Sequence, residues 1–375
     1  MERQKKTKIL KLNLDTTKRM IFMSDIHGDV TTFKKALNEI KFSDDDYLFV
    51  VGDMIEKADP GDNIKMLNYM IELAKRNNVY FMAGNCDEVL RFILPPIDKK
   101  QFLHYALEKK KSIINDFAEE VNFKLSSDMD VDLFVDLLIN NHPEYYEFVD
   151  SLPDVIFLND TIVLVHGGII DINNIPEEAI KVLKFDRFAE MSPVQEKIMI
   201  VGHYPTRNYR SELFNVNPIF DRYKRIISID GGNNVVKGGQ INVVILNSLD
   251  SMEFKFEAYD HYRKYKVLED IRYEEPSLKF NMQFGDNEVT VLKVDLDYYF
   301  VSTIDNETMW VHKSFVYNYN DKYYCFDGSN RFISLSKGDE ISIIIIGKPY
   351  CLVKKGGTIG LIESKYINEE LIYDK

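Results

Sequence analysis

Apolar residues gather into short runs, and each run ends on a small polar cluster. Arg19 to Met23 leads to Ser24-Asp25, Tyr47 to Val51 ends at Gly52-Asp53, and Val79 to Ala83 ends at Gly84-Asn85. Between these runs Phe33, Leu37 and Ile40 recur at helical spacing across Thr31 to Ile40, and a second helix is expected over about Ile64 to Arg76. Ile9 to Leu14 alternates apolar and polar positions like an edge strand. Further along, Thr161 to Val165 ends at His166-Gly167-Gly168, Ile198 to Val201 at Gly202-His203, and Ile226 to Ile229 at Asp230-Gly231-Gly232. Strands alternating with helices predict an α/β layered domain, with ligands collected beyond the carboxyl ends of the strands.

Two stretches break that rhythm. Asp98 to Ser151 is helical in pattern and heavily charged, with Leu133, Leu137 and Leu138 on apolar stripes, and reads as a helical insertion whose charged runs are solvated faces. From about Tyr262 the chain turns to short β-rich runs carrying an internal repeat. Gly285-Asp286-Asn287-Glu288-Val289-Thr290-Val291 matches Gly338-Asp339-Glu340-Ile341-Ser342-Ile343, 53 residues later, and Met309 to Val316 occupies the place of Ile359 to Tyr366. The expected division is therefore a domain over 1–260 with an insertion at about 98–151, then two small all-β modules at 261–318 and 319–375.

Bulk properties narrow the function. A net charge of −13 opposes passive binding to a nucleic-acid backbone or an anionic membrane, so a phosphate substrate needs local cations. Cys86, Cys325 and Cys351 are odd in number and widely spaced, which suits a reducing cytoplasm. Met1 to Lys18 is lysine-rich without the apolar core of a signal peptide, and no apolar run approaches the ~18 residues of a membrane span, so a cytoplasmic protein is expected.

The polar strand ends supply hard and borderline ligands of both kinds, carboxylate oxygen and imidazole nitrogen, as a two-metal site requires. Asp25 and His27 stand two apart, so in an extended segment both side chains point to one side and can hold one ion, while Gly28 permits close backbone approach. Asp53 has two oxygens with which to bridge a pair of ions, and Asn85, His166 and His203 can complete the second. Such a pair neutralises phosphate charge and lowers the pKa of an attacking water.

Asp25-Ile26-His27-Gly28-Asp29, Gly52-Asp53, Gly84-Asn85-Cys86-Asp87, His166-Gly167-Gly168 and Gly202-His203 together resemble the signature of the calcineurin-like metallophosphoesterases over about Ile21 to Leu246. With Phe185-Asp186-Arg187-Phe188 and Gly202-His203-Tyr204-Pro205-Thr206, the chain looks like the branch of serine/threonine phosphoprotein phosphatases and bacterial diadenosine tetraphosphatases. The resemblance implies a β-sandwich flanked by helices and two metal ions, Mn, Fe or Zn, with Mn the ion to supply in vitro. In it Asp25, His27 and His203 would hold one ion, Asn85 and His166 the other, and Asp53 would bridge. The implied substrate is a phosphorylated protein or small phosphate monoester; a phosphodiester or dinucleoside polyphosphate is the alternative, and a metal-binding adaptor a second one.

Departures from that branch matter. Met54-Ile55-Glu56-Lys57 replaces a phosphate-gripping arginine with Lys57, a point charge and not a bidentate fork, and Arg91, Arg187 or Arg207 would compensate, Arg187 first because it lies in a matching segment. Cys86 stands where the family has the histidine that protonates the leaving oxygen, and a thiol of pKa ~8.5 is a weaker acid at neutrality than an imidazole of ~6.5. Asp87 is either the partner of an acid or a helix N-cap. The C-terminal halves resemble tandem bacterial Src-homology-3-like barrels, most clearly at Lys337-Gly338-Asp339 and Gly360 to Ile367. Trp310 is the sole tryptophan, which argues for a structural appendage over a proline-peptide groove, with a protein or peptide partner as the alternative.

Overall fold

A computed structural model of the chain describes residues 6–92, 98–274, 280–282 and 287–368. Gly285 and Asp286, which open the first copy of the repeat, lie outside the described residues. The chain divides into two compact units, one made of 1–204, 218–235 and 240–260, the other of 205–217, 236–239 and 261–375.

The first unit runs β1 (Ile9–Leu12), β2 (Met20–Met23), α1 (Val30–Glu39), β3 (Tyr47–Val51), α2 (Asp62–Leu73), β4 (Val79–Met82) and α3 (Val89–Phe92). Helices α4 (Lys99–Glu108), α5 (Ile113–Glu120), α6 (Val131–Asn141) and α7 (Pro143–Ser151) follow as the expected insertion. Then come β5 (Val155–Leu158), β6 (Ile162–Val165), α8 (Ile180–Leu183), α9 (Phe188–Met191), β7 (Ile198–Val201), β8 (Ile219–Asp221), β9 (Ile226–Ser228), β10 (Ile241–Leu246) and β11 (Phe254–Tyr259).

These strands form two mixed sheets, β1-β5-β6-β7-β9-β8 and β11-β10-β2-β3-β4. Their facing sides share one core: Met20, Phe22, Phe49, Val51 and Met82 from one sheet meet Ile156, Leu158, Ile162, Leu164, Ile200 and Ile227 from the other. Phe22 stacks on Phe49 at 5.3 Å between ring centroids. The alternate residues of β2, Ile21 and Met23, are buried too, so the strand is covered on both faces, which is why its run is continuously apolar and not alternating. The layered α/β fold and the β-sandwich expected of it are both present. Local signals fix the helix starts: Asp29 accepts the Thr32 amide ahead of α1, Asp98 those of Lys100 and Gln101, and Ser112 that of Ile114 in a capping box.

The second unit holds β12 (Arg263–Lys266), β13 (Glu288–Val294), β14 (Tyr298–Thr303), β15 (Thr308–His312), β16 (Val316–Tyr319), β17 (Lys322–Cys325), β18 (Glu340–Ile345), β19 (Tyr350–Lys355) and β20 (Thr358–Glu363). Two antiparallel sheets result, β15-β14-β13-β17-β16 and β12-β18-β19-β20. The repeat is physical. In each half a three-stranded meander carries a register shift in its first hairpin, between Val291 and Lys293 and between Ile343 and Ile345, and ends in a 3-10 turn, Lys313–Phe315 or Ser364–Tyr366. Pairing crosses the division expected from sequence: β17 completes the first sheet, and β12 pairs with β18 in the second. Phe214, Val216 and Val236 belong to this unit's core with Val301, Val311 and Leu361. A half-buried row of rings crosses it, with Phe300 5.1 Å from Trp310, Trp310 5.7 Å from Tyr350, and Tyr350 5.1 Å from Phe332.

Candidate metal centre

Asp25, His27, Asp53, Asn85, His166 and His203 sit on the loops that leave β2, β3, β4, β6 and β7, the ends at which the sequence placed them. The loops after β2 and β3 are zipped together through backbone: Asp25 N donates to Gly52 O at 3.0 Å, His27 N to Asp53 O at 3.1 Å and Gly28 N to Met54 O at 2.8 Å. Close approach demands glycine here. A Cβ on Gly28 would fall 2.3 Å from that of Ala58, and one on Gly84 would fall 2.1 Å from the Asp53 nitrogen.

One part of the sequence picture is corrected. Asp25 and His27 do not converge through the two-residue period of an extended segment; both are left-handed, at φ 54° and 48°. Asp53 and His203 share that conformation, at 53° and 66°, as do the adjoining Glu56 and Lys57 at 73° and 64°. Non-glycine residues pay strain for it, and such strain gathers at functional sites where surrounding bonds over-determine the backbone.

Those bonds come largely from Asp87. Its buried carboxylate accepts the amides of Asp53 and Gly84 on one oxygen, both at 2.9 Å, and those of Met54 and Ile55 on the other at 2.9 and 3.3 Å. It caps the β3 loop, an arrangement neither of its two expected roles described. Asn233 and Asn234 brace the β2 loop from the β9 end, donating to Ile26 O and His27 O at 2.9 Å each.

Histidine tautomers follow from the carbonyls beside them, because a carbonyl can only accept. His166 Nδ1 meets Val51 O at 2.8 Å and His27 Nδ1 meets Ile55 O at 3.3 Å, which leaves Nε2 of each as a lone-pair donor facing the site. His203 engages Asp186 through Nε2 at 2.8 Å, leaving Nδ1. Asp53 is central: its Oδ1 is 3.2 Å from His166 Nε2 and accepts the Cys86 amide at 2.8 Å, while Oδ2 is 3.8 Å from His27 Nε2. Two triads share it, Asp25-Asp53-His166 and His27-Asp53-Cys86, each with ligand atoms within 4.8 Å of one another.

The residues fit a metal pair by an independent criterion. Asp25 Oδ1 and Asn85 Oδ1 are buried with no hydrogen-bond partner, a costly state for ordinary polar atoms and the expected one for atoms that ligate ions. Electrostatics agree. Burial works against charge on Asp53, yet His166 and His27 hold its pKa well below the carboxylate range; burial likewise opposes charge on His166, yet Asp53 and Asp25 lift its pKa to about 10. Burial and the Asp53 charge raise Asp25 to about 6. Burial lowers His27 to about 3 and His203 to about 4. Carboxylates that force a proton onto a buried imidazole make a site that demands cations.

Lys57 is exposed, and the charges of Cys86, Asp53, Asp25 and Asp230 raise its pKa against the effect of burial. The other expected phosphate-binding cations are engaged elsewhere. Arg91 pairs with Glu88 and the Val149 carbonyl, Arg187 pairs through two nitrogens with Glu190 at 2.7 and 2.9 Å, and Arg207 is buried in the second unit against Asp327, Asn281 and Met282.

Several site residues were not singled out from sequence. Asp230 is buried, its pKa pushed well up by burial and by Asp25; it lies in the polar turn after β9, and that strand end was its only signal. Glu56 is buried and accepts from Tyr105 Oη at 2.6 Å, Ser112 Oγ at 2.9 Å and Ile113 N at 2.7 Å, tying the Lys57 loop to α4 and α5. Asp186 was quoted only as part of a motif.

No curated protein matches the chain. Among solved structures, a chain provisionally named a diadenosine tetraphosphatase is 17% identical, over 68% of this chain and 99% of that one, with a TM-score of 0.41. A serine/threonine phosphatase from Saccharomyces cerevisiae is 13% identical over 70% and 86%, TM-score 0.40, and a metallophosphoesterase from Sphaerobacter thermophilus 15% identical over 64% and 88%, TM-score 0.36. The model of the calcineurin-like phosphoesterase family matches residues 18–221, which takes in every one of the six expected ligands. The chain therefore belongs to the calcineurin-like phosphoesterases, and it is a hydrolase of phosphoric esters.

Proposed function

We propose that the chain hydrolyses phosphate monoesters of the serine/threonine-phosphatase type at a dinuclear centre bridged by Asp53. The observation that carries this reading is the convergence of Asp25, whose buried Oδ1 has no hydrogen-bond partner, and His166 on that one carboxylate, with ligand atoms of all three within 4.8 Å of one another. Bound ions, of Mn, Fe or Zn, would supply positive charge to the phosphate and acidify the attacking water. The chain's own residues hold the site to shape: Asp87 fixes the Asp53 backbone, Val51 and Ile55 orient the imidazoles, and Asp186 orients His203. Lys57 is the candidate cation for the remaining charge of a dianionic monoester, since Arg91, Arg187 and Arg207 are each paired with a carboxylate. A second reading, a phosphodiester or dinucleoside polyphosphate substrate, is favoured by Cys86, since burial and Asp53 push its thiol pKa well up and such substrates need less leaving-group protonation.

The second unit is proposed to be a pair of Src-homology-3-like modules, on the strength of two bulged meanders each closed by a 3-10 turn, and the row of rings from Phe300 to Phe332 suits a protein or peptide partner. A cytoplasmic location is proposed from cysteine usage; among the described residues no helix is long and apolar enough to cross a membrane.

Hydrolysis of an aryl phosphate monoester, an aryl phosphodiester and diadenosine tetraphosphate, side by side with Mn²⁺, tests the substrate class. Preference for the monoester supports the first reading and preference for either other substrate the second. Asp53→Asn is expected to lower turnover by more than about 10³-fold, beyond the loss of a single transition-state hydrogen-bond donor. Unchanged turnover in that variant would sink both.

A further inference from the structure

We propose that Cys86 is a thiolate ligand to one of the two ions, sharing it with His27 and the bridging Asp53. The inference rests on the dinuclear reading above. Cys86 Sγ, the His27 nitrogen and an Asp53 oxygen all lie within 4.8 Å of one another. Two donors each about 2.0–2.3 Å from an ion stand at most about 4.6 Å apart, so the three surround one ion with at most small movement. The sulfur is not placed there by chance of rotamer alone: the Cys86 amide donates to Asp53 Oδ1 at 2.8 Å, which pins the residue to the bridging carboxylate.

Its neighbour completes the arrangement. Asn85 Nδ2 lies 3.5 Å from Cys86 Sγ as a donor to it, while Asn85 Oδ1 is buried without a partner. One amide thus gives its N–H to the sulfur and keeps its oxygen for an ion, the outer-shell pattern that orients a ligating atom. On binding, the S–H bond breaks, its proton passes to buffer, and the sulfur electron pair forms the bond to the ion; no oxidation state changes. Cys86 then has no proton to give a leaving group, and this half of the site selects softer ions such as Zn²⁺ or Co²⁺ over Mg²⁺.

The test is cobalt substitution of the full chain after chelation. Wild type is expected to bind two Co²⁺ by elemental analysis, with visible d–d bands and a near-ultraviolet sulfur-to-cobalt charge-transfer band. Cys86→Ser should keep the d–d bands, lose the charge-transfer band, and bind one of its two ions more than about 10-fold more weakly, the least that even outer-shell partners contribute. Cys325→Ala and Cys351→Ala should keep the band. Two bound ions without a charge-transfer band in wild type, or a band that survives Cys86→Ser, overturns the ligand assignment while leaving the dinuclear reading intact. Failure to bind cobalt at all overturns both. Wild-type spectra decide the matter even where Cys86→Ser folds poorly.

Discussion

Asp87→Asn separates a carboxylate that holds the site from one that merely sits near it. In the native chain each Asp87 oxygen accepts two backbone amides, from Asp53 and Gly84 and from Met54 and Ile55. Asparagine keeps one oxygen, so in either flip two amides retain their acceptor and two face an NH₂ group. Backbone N–H groups cannot reverse their polarity. Two buried donors left unsatisfied at about 1–3 kcal/mol each predict a loss of about 2–6 kcal/mol, a large part of the 5–15 kcal/mol that typically holds a domain. The same lesion frees the strained Asp53 backbone and should weaken metal binding by about 10- to 100-fold, the usual cost of an outer-shell partner. Urea unfolding with chelator present measures the first effect. Far-ultraviolet circular dichroism is the probe, because the chain's one tryptophan, Trp310, lies in the second unit. A variant within about 0.5 kcal/mol of wild type, the range of an ordinary surface substitution, would refute the capping account.

Glu56→Gln supplies the contrast, since the Tyr105 hydroxyl can turn from donor to acceptor; this change should be neutral or slightly stabilising, whereas Glu56→Ala, which strands Tyr105, Ser112 and Ile113, should cost at least about 3 kcal/mol in the same urea unfolding. Burial raises the Glu56 pKa, so its contribution is full below the ordinary ~4.3 and falls as pH climbs through the folded value; Gln should flatten that part of the stability profile. Asp46 has the opposite sign. Burial opposes its charge, but Arg19, bonded through two nitrogens at 2.7 and 2.8 Å, brings its pKa below the usual ~3.9, so Arg19→Met should destabilise at neutral pH and converge with wild type as pH falls below about 4. Lys57→Met is expected to lower kcat/KM for a dianionic monoester more than for a diester, measured with matched aryl substrates; equal losses would remove Lys57 from phosphate binding.

The six expected ligand positions were legible as strand ends because each follows an apolar strand, and strand ends gather at one edge of a layered α/β sandwich whatever the intervening loops do. Their backbone was not legible. Left-handed Asp25, His27, Asp53 and His203 are stabilised by amides and carbonyls from distant loops, which no two-residue period encodes. Glu56 and Asp230 carry charges like many surface residues, and only burial distinguishes them; Asp186 is exposed, and only its hydrogen bond to His203 marks it. Arg91 and Arg207 err the other way: an arginine in sequence cannot announce that its guanidinium will be used by Glu88 or by Asp327. The C-terminal repeat was legible through its glycine turns and alternating runs. The pairing of β12 with β18 was not, because register is set by partners far along the chain.

The second unit draws two of its pieces, 205–217 and 236–239, from between the segments 1–204, 218–235 and 240–260 that make up the first. The chain therefore passes between the units several times, and no single cut separates them. Truncation after residue 260 would leave Phe214, Val216 and Val236, all buried, without Val301, Val311 and Leu361 to cover them. The tail is not a cassette that recombination could append or discard as a block. A shortened chain would expose these apolar side chains, so quality control would remove an enzyme that had lost its C-terminal residues.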